Sequence, residues 1–221
     1  DQVYDYDAEN LTLVAGAGCT LKTVQRLLSE RRQFMPVDPP LSELASLGGL
    51  IASNAFGPSR LGYGAVRDLT LGLQVALLTG QIVSVGGKHN KNLAGYDLSK
   101  LFVGSAGTLG IITRVTCRVL PLPEYSRTVQ VTFADAHDAF ALAGDILDGP
   151  ITPTCLDVLQ GAPGAAGEPY PPISLTISFD GPEEVVEHQV LDFRAVESLG
   201  RAVSVEGLGG EAAEAATRKI R

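Results

Sequence analysis

Thirteen of the 25 glycines fall between Gly48 and Gly110, ten of them at Gly48-Gly49, Gly57, Gly62, Gly64, Gly86-Gly87, Gly104, Gly107 and Gly110. Their neighbours are Ser, Thr and Asn rather than acids, bases or histidines. Loops of that composition let backbone amides approach a ligand closely. An anionic group such as a diphosphate gains about 1.5 to 3 kcal/mol from each charge-assisted hydrogen bond of this kind, and several together would hold a dinucleotide. The same glycines would equally make tight turns in a strand-rich domain, and spacing leaves both readings open.

More specific chemistries fail on inspection. Gly16-Ala17-Gly18 lacks the third glycine of G-x-G-x-x-G, and no G-x-x-x-x-G-K-[ST] occurs, which argues against a Rossmann NAD domain and a P-loop. Val103-Gly104-Ser105-Ala106-Gly107 misses G-x-S-x-G by its first glycine, so Ser105 reads as a loop residue. His89, His137 and His188 are scattered, and Cys19, Cys117 and Cys155 are far apart. Neither set has metal-ligand spacing, so no metal site is expected and the thiols read as core residues.

The elements that must carry the glycine loops come from a chain with 45% apolar residues and a net charge of −8. That composition excludes a disordered tail, and the charge has the wrong sign for a nucleic-acid face. No apolar run is long enough for a transmembrane segment, and the expected location is cytoplasmic. The start at Asp1, with Met35 the sole methionine, suggests that the polypeptide begins upstream. Residues 1–123 carry 11 basic and 9 acidic groups, whereas 124–221 carry 6 and 16, so a domain boundary is placed near 123, after Leu120-Pro121-Leu122-Pro123.

In the first domain, Leu11 to Ala15 reads as a strand turned by Gly16-Ala17-Gly18 into a helix from about Thr20, with Val24, Leu27 and Leu28 on one face. A proline-rich loop, Pro36 to Pro40, precedes a short helix over Leu47 to Asn54. Leu69 to Leu78 and Gln81 to Val85 read as a hairpin turned at Thr79-Gly80. Asp97 caps a short helix ending at Gly104, and Ile111 to Leu120 is a strand. The second domain reads as strand 128–133, helix 136–147, strand 154–160, strand 173–179, helix 183–199 and strand 202–205. That βαββαβ order is the ferredoxin-like pattern of an α+β protein, with a mobile loop over 161–172 and a final helix over 211–221.

The motifs Pro36-Val37-Asp38-Pro39-Pro40, Ser46-Leu47-Gly48-Gly49-Leu50-Ile51-Ala52-Ser53-Asn54-Ala55-Phe56-Gly57 and Tyr63-Gly64-Ala65-Val66-Arg67-Asp68 resemble the FAD-binding domain of the vanillyl-alcohol-oxidase, or PCMH-type, flavoproteins. Gly95-Tyr96-Asp97-Leu98 and Gly104-Ser105-Ala106-Gly107-Thr108-Leu109-Gly110-Ile111-Ile112-Thr113 are similar to the later signature of that family, in the same order. Within it, Gly57-Pro58-Ser59-Arg60 and Lys91 to Leu101 are most similar to the FAD-binding subunits of bacterial glycolate oxidases.

The resemblance implies a PCMH-type FAD-binding domain with a mixed or antiparallel sheet and flanking helices over 1–123, then a ferredoxin-like cap or partner-docking domain over 124–221. It implies FAD as cofactor, with Pro39, Ser46, Gly48, Gly49, Ser53, Asn54, Ala55 and Gly57 near the pyrophosphate, ribityl chain and flavin. Gly107, Gly110, Ile111 and Ile112 would lie near the nucleotide. The implied activity is oxidation of a small 2-hydroxy acid, glycolate to glyoxylate. The implied partners are a second flavoprotein subunit and an iron-sulfur subunit, which would hold the chain peripherally at the inner membrane. The other readings are a non-catalytic assembly subunit and a stand-alone oxidase of another alcohol or hydroxy acid. The family's N-terminal glycine-rich pyrophosphate loop would precede Asp1, its late histidine motif has no counterpart here, and Ala106 stands where relatives are often acidic. No catalytic base is named, and Arg67, Lys91 and Tyr96 are polar candidates without roles.

Overall fold

The apolar run Thr12–Gly16 is buried at every residue, because the strand it forms is flanked on both edges and has one side in the core. A computed structural model describes residues 2–87, 97–161 and 171–208. The chain divides into two units, Asp1–Leu122 and Pro123–Arg221. In chain order the first carries β1 (Val3–Asp7), β2 (Thr12–Gly16), α1 (Leu21–Ser29), β3 (Gln33–Phe34), α2 (Leu47–Ser53), α3 (Arg60–Tyr63), α4 (Val66–Leu69), β4 (Thr70–Ala76), β5 (Ile82–Gly86), α5 (Ser99–Phe102), β6 (Ile111–Arg118) and β7 (Leu120–Pro121). Five strands form one antiparallel sheet in the order β1-β2-β6-β4-β5, and β3 pairs with β7 in a separate ribbon. The edge strand β1 and the ribbon are elements that sequence periodicity did not reveal.

Alternation sorts the sheet's side chains. Leu13, Ala15, Leu73, Val75, Ile112, Val115 and Cys117 enter a core that also takes Leu21, Val24 and Leu28 from α1 and Leu47, Leu50 and Ile51 from α2. The hydroxyl of Thr20 caps α1 by accepting from the Thr23 amide at 3.2 Å. The register of β4 against β6 shifts between Gln74 and Val75, leaving Thr113 without a cross-strand partner. This bulge turns the Thr113 carbonyl toward the Ala17 amide, 3.0 Å away.

The second unit carries β8 (Tyr125–Phe133), α6 (Ala136–Asp148), β9 (Cys155–Gln160), β10 (Ile173–Gly181), α7 (Glu183–Arg194), a 3-10 turn (Glu197–Arg201) and β11 (Ser204–Leu208). Its antiparallel sheet has the order β11-β8-β10-β9, the ferredoxin-like arrangement. Val129, Val131, Phe133, Ile173, Leu175, Ile177 and Phe179 face α6 and α7 and bury Leu142, Ile146, Val186 and Phe193. The opposite face is polar, with Thr128, Gln130 and Thr132 beside Ser174, Thr176 and Ser178.

Some boundaries move. The helix expected over 183–199 stops at Arg194, where Val196 turns extended (φ −67°, ψ 124°) and packs with Leu199 against the core. Burial of these two side chains outweighs continued helix formation. Asp97 lies one residue before the cap position of α5, and its carboxylate accepts from the Ser99 amide at 3.1 Å and from the Ser99 hydroxyl. The helix expected over 211–221, most of the loop over 161–172, and His89, Lys91 and Tyr96 lie outside the described residues.

All three cysteines are buried thiols outside any disulfide, and burial pushes the Cys117 thiol up from 9.0 to about 12. A thiol raised in the folded state contributes stability that is present below pH 9 and lost as pH climbs from 9 toward 12. Thiol titration of the native protein at pH 8 is expected to find no fast-reacting cysteine, whereas guanidinium exposes all three. Rapid native labelling of Cys117 would contradict its placement.

Candidate functional site

Four loop segments converge around α2, and backbone contacts join them. The Ala17 carbonyl accepts from the Gly48 amide at 2.8 Å, and a Cβ on Gly48 would lie 2.7 Å from the Ala17 Cβ. Glycine is required there because two chains touch. The Ser46 hydroxyl caps α2 by accepting from the Gly49 amide at 3.2 Å, while the Ser53 hydroxyl donates back to the Gly49 carbonyl at 2.7 Å. After Ser53, Asn54 takes the left-handed conformation (φ 49°, ψ 44°) and turns the chain out of the helix.

The proline-rich loop docks on the segment that follows. Asp38 is 5% exposed, and its carboxylate accepts from the Ser59 amide at 3.2 and 3.3 Å and from the Ser59 hydroxyl at 2.9 Å. Between them lies Gly57, whose added Cβ would sit 2.0 Å from the Asp38 carbonyl oxygen. This fixes buried Pro39 beside the Asn54-to-Ser59 turn.

The loop after α5 closes the arrangement. Its Gly104 amide donates to the Ile51 carbonyl at 2.9 Å and its Ala106 amide to the Ala52 carbonyl at 2.7 Å, which caps the end of α2. Ala106 and Gly107 are both left-handed (φ 51° and 76°), and the Thr108 amide closes the turn on the Ser105 carbonyl at 3.0 Å. A reciprocal clamp sets the approach of α5. The Lys100 ammonium donates to the Arg67 carbonyl and, at 3.1 Å, to the Thr70 carbonyl, while Arg67 donates to the Lys100 carbonyl at 3.1 Å. Burial holds the Lys100 ammonium below its usual range, opposed by the charges of Asp97 and Asp68. Arg67 thus has a structural partner.

The structure therefore brings together Pro39, Ser46, Gly48, Gly49, Ser53, Asn54, Ala55, Gly57 and Gly107. Three others sit differently. Gly110 is buried, its nearest neighbours being Val75 and Ala76 of β4, Ile112 is in the core at 9% exposure, and Ile111 is on the outside at 68%. The contacts that sequence reasoning missed are Ala17, the Asp38 carboxylate and the left-handed Ala106. For Asp38, an acid isolated among prolines was the available signal.

Residues 1–86 match the family described as an FAD binding domain. The first unit belongs to the PCMH-type FAD-binding domains. Glycolate oxidase subunit GlcD of Bacillus subtilis (strain 168) is 36% identical, over 93% of this chain and 46% of its own length. Glycolate oxidase subunit GlcE of Escherichia coli (strain K12) is 39% identical over 58% of the chain and 37% of its own length. A D-lactate dehydrogenase of Archaeoglobus fulgidus is 39% identical over 61% and 30%, respectively. The chain spans less than half the length of these relatives. Among solved structures, an alkyldihydroxyacetonephosphate synthase superposes on 100% of the chain and 43% of its own, with a TM-score of 0.80 and 21% identity, so the likeness is one of fold.

The residues of the FAD-binding domain fit such a group. Asn54 Oδ1 is buried with no hydrogen-bond partner, an arrangement that costs about 1–3 kcal/mol until a donor arrives. A Cβ on Gly107 would meet nothing within 4 Å, so that loop tip leaves room for a ligand against its backbone.

Two substitutions test the backbone contacts by urea unfolding. Gly57→Ala forces the Asp38 backbone to move and is expected to cost about 1–3 kcal/mol. Ala106→Gly relieves about 1–2 kcal/mol of left-handed strain and returns part of it as unfolded-state entropy, for an expected net gain of about 0.5–1 kcal/mol. Opposite signs at the two sites are the expected result.

Proposed function

We propose that the protein is the FAD-carrying subunit of a glycolate oxidase, removing two electrons from glycolate to give glyoxylate. The observation that carries this reading is the meeting of the orphaned Asn54 oxygen with four backbone-tied loops in an FAD-binding domain whose relatives include glycolate oxidase subunits and D-lactate dehydrogenases. FAD, when bound, would supply the acceptor for a hydride equivalent, a reaction that the protein need only position and shield.

The chain's own contribution is binding and orientation. Asn54 would accept a hydrogen bond from a cofactor hydroxyl or imide N–H. Ser46, Ser53 and Ala55 would hold the turn in shape, while Pro39 and Gly57 keep its outer wall closed. Gly48 and Gly49 would let the cofactor lie close to the main chain, and Gly107 and the exposed Ile111 would border the nucleotide, while Gly110 and Ile112 hold that segment against β4 and the core. A second flavoprotein subunit and an iron-sulfur subunit would take the electrons onward in a cytoplasmic complex peripheral at the membrane. No described helix is long and apolar enough to cross one.

The test is flavin spectroscopy on the intact protein. The expected result is a yellow protein whose flavin band bleaches on anaerobic addition of glycolate. Asn54→Ala is expected to weaken FAD binding by about tenfold, the equivalent of one lost hydrogen bond. Bleaching by D-lactate but not glycolate would replace the substrate. A colourless protein that stays colourless with added FAD and partner subunits would favour a non-catalytic assembly subunit.

A further inference from the structure

The described part of the second unit carries 13 acidic side chains and only three of Lys or Arg type, Arg127, Arg194 and Arg201. Arg201 is paired with Asp138 at 3.2 Å. Both others line one cavity of about 190 Å³, between the C-terminal half of α7 and strands β8 and β11. Arg127 has its Nε 3.5 Å from the Glu187 carboxylate, which also accepts from the Tyr125 hydroxyl at 2.8 Å. No described acid pairs with Arg194. Two guanidinium groups and one carboxylate thus leave a single positive charge at the cavity, in a unit otherwise rich in acids.

Beneath the two guanidinium groups the cavity floor is apolar. Val129, Val190 and Phe193 are at most 6% exposed, and Val205 of the edge strand completes the lining. Opposite Val129 in the register stands Gly207, where an added Cβ would meet nothing within 4 Å, so the missing side chain is part of the space. A dry apolar cavity of roughly 150 Å³ accepts benzene. The volume here suits a body of that size with a small polar head. Guanidinium selects a planar carboxylate as that head by two parallel hydrogen bonds.

We propose that this cavity binds a small monocarboxylate of six or seven carbons in all, with a compact apolar body. The apolar part lies against Phe193 and Val190 over Gly207, and the carboxylate faces Arg194 with Arg127 behind it. One net positive charge matches one negative charge, and the acids elsewhere on the unit repel more highly charged anions. The site does not depend on flavin, so it stands or falls separately from the proposed activity.

Calorimetric titration of the intact protein with benzoate and with hexanoate tests it, with benzamide and hexanamide as uncharged controls. At least one carboxylate is expected to bind with one-to-one stoichiometry, at least tenfold tighter than its amide. Arg194→Gln, on an exposed side chain, is expected to weaken it by about tenfold. Gly207→Leu, whose Cβ would meet nothing within 4 Å and whose side chain would occupy the cavity, is expected to abolish binding while leaving the melting temperature within a few degrees. Absence of binding by both carboxylates, equal binding of the amides, or undiminished affinity in Gly207→Leu would each overturn the proposal.

Discussion

Backbone pressed against backbone is the constraint on which the candidate site rests. At Gly48 and Gly57 two stretches of main chain lie closer than any side chain would permit, and each contact is reinforced by a hydrogen bond or a buried carboxylate. A site built in this way has few titratable groups to tune, which suits a cofactor that brings its own reactivity. It also ties the fold to the site. The bulge at Thr113 sets Ala17, Ala17 sets Gly48, and α2 then places Asn54 where the Gly104 loop can cap it. Loosening one link displaces all that follow.

Energetically, the two units solve the same problem differently. In the first, helices contribute short apolar faces and the loops carry much of the packing, so stability depends on glycines that cannot be replaced. In the second, two longer helices cover one face of a four-stranded sheet with large residues such as Phe133, Phe179 and Phe193. The other face of that sheet is lined with Thr, Ser and Gln, of which Thr128 and Thr176 are buried.

The strands and longer helices were legible because alternation and helical spacing are local. The order of elements in the second unit is itself enough to specify its ferredoxin-like fold. The boundary error at Arg194 shows the limit of such reasoning, since Val196 and Leu199 leave the helix for a core contact that local spacing cannot anticipate. The site was legible through its glycines and through resemblance, but their roles were not. Gly107 and Gly110 look alike in sequence, yet one is an open loop tip and the other is packed on Val75. Ile111 and Ile112 look alike as well, and alternation sends only the second into the core. Short elements such as β1 and the β3–β7 ribbon have too few residues to show a period.

Strand pairing has a consequence for how the protein is made. In the first sheet, Leu13 pairs with Cys117, and β1–β2 therefore waits for some hundred residues before its partner leaves the ribosome. The second sheet repeats the pattern, because its central strand β8 gains its last neighbour only when β11 is complete. Both sheets close by distant contacts, which slows folding and leaves apolar strand edges uncovered while synthesis proceeds. Nascent chains of this protein should need chaperone protection twice, once for each unfinished sheet.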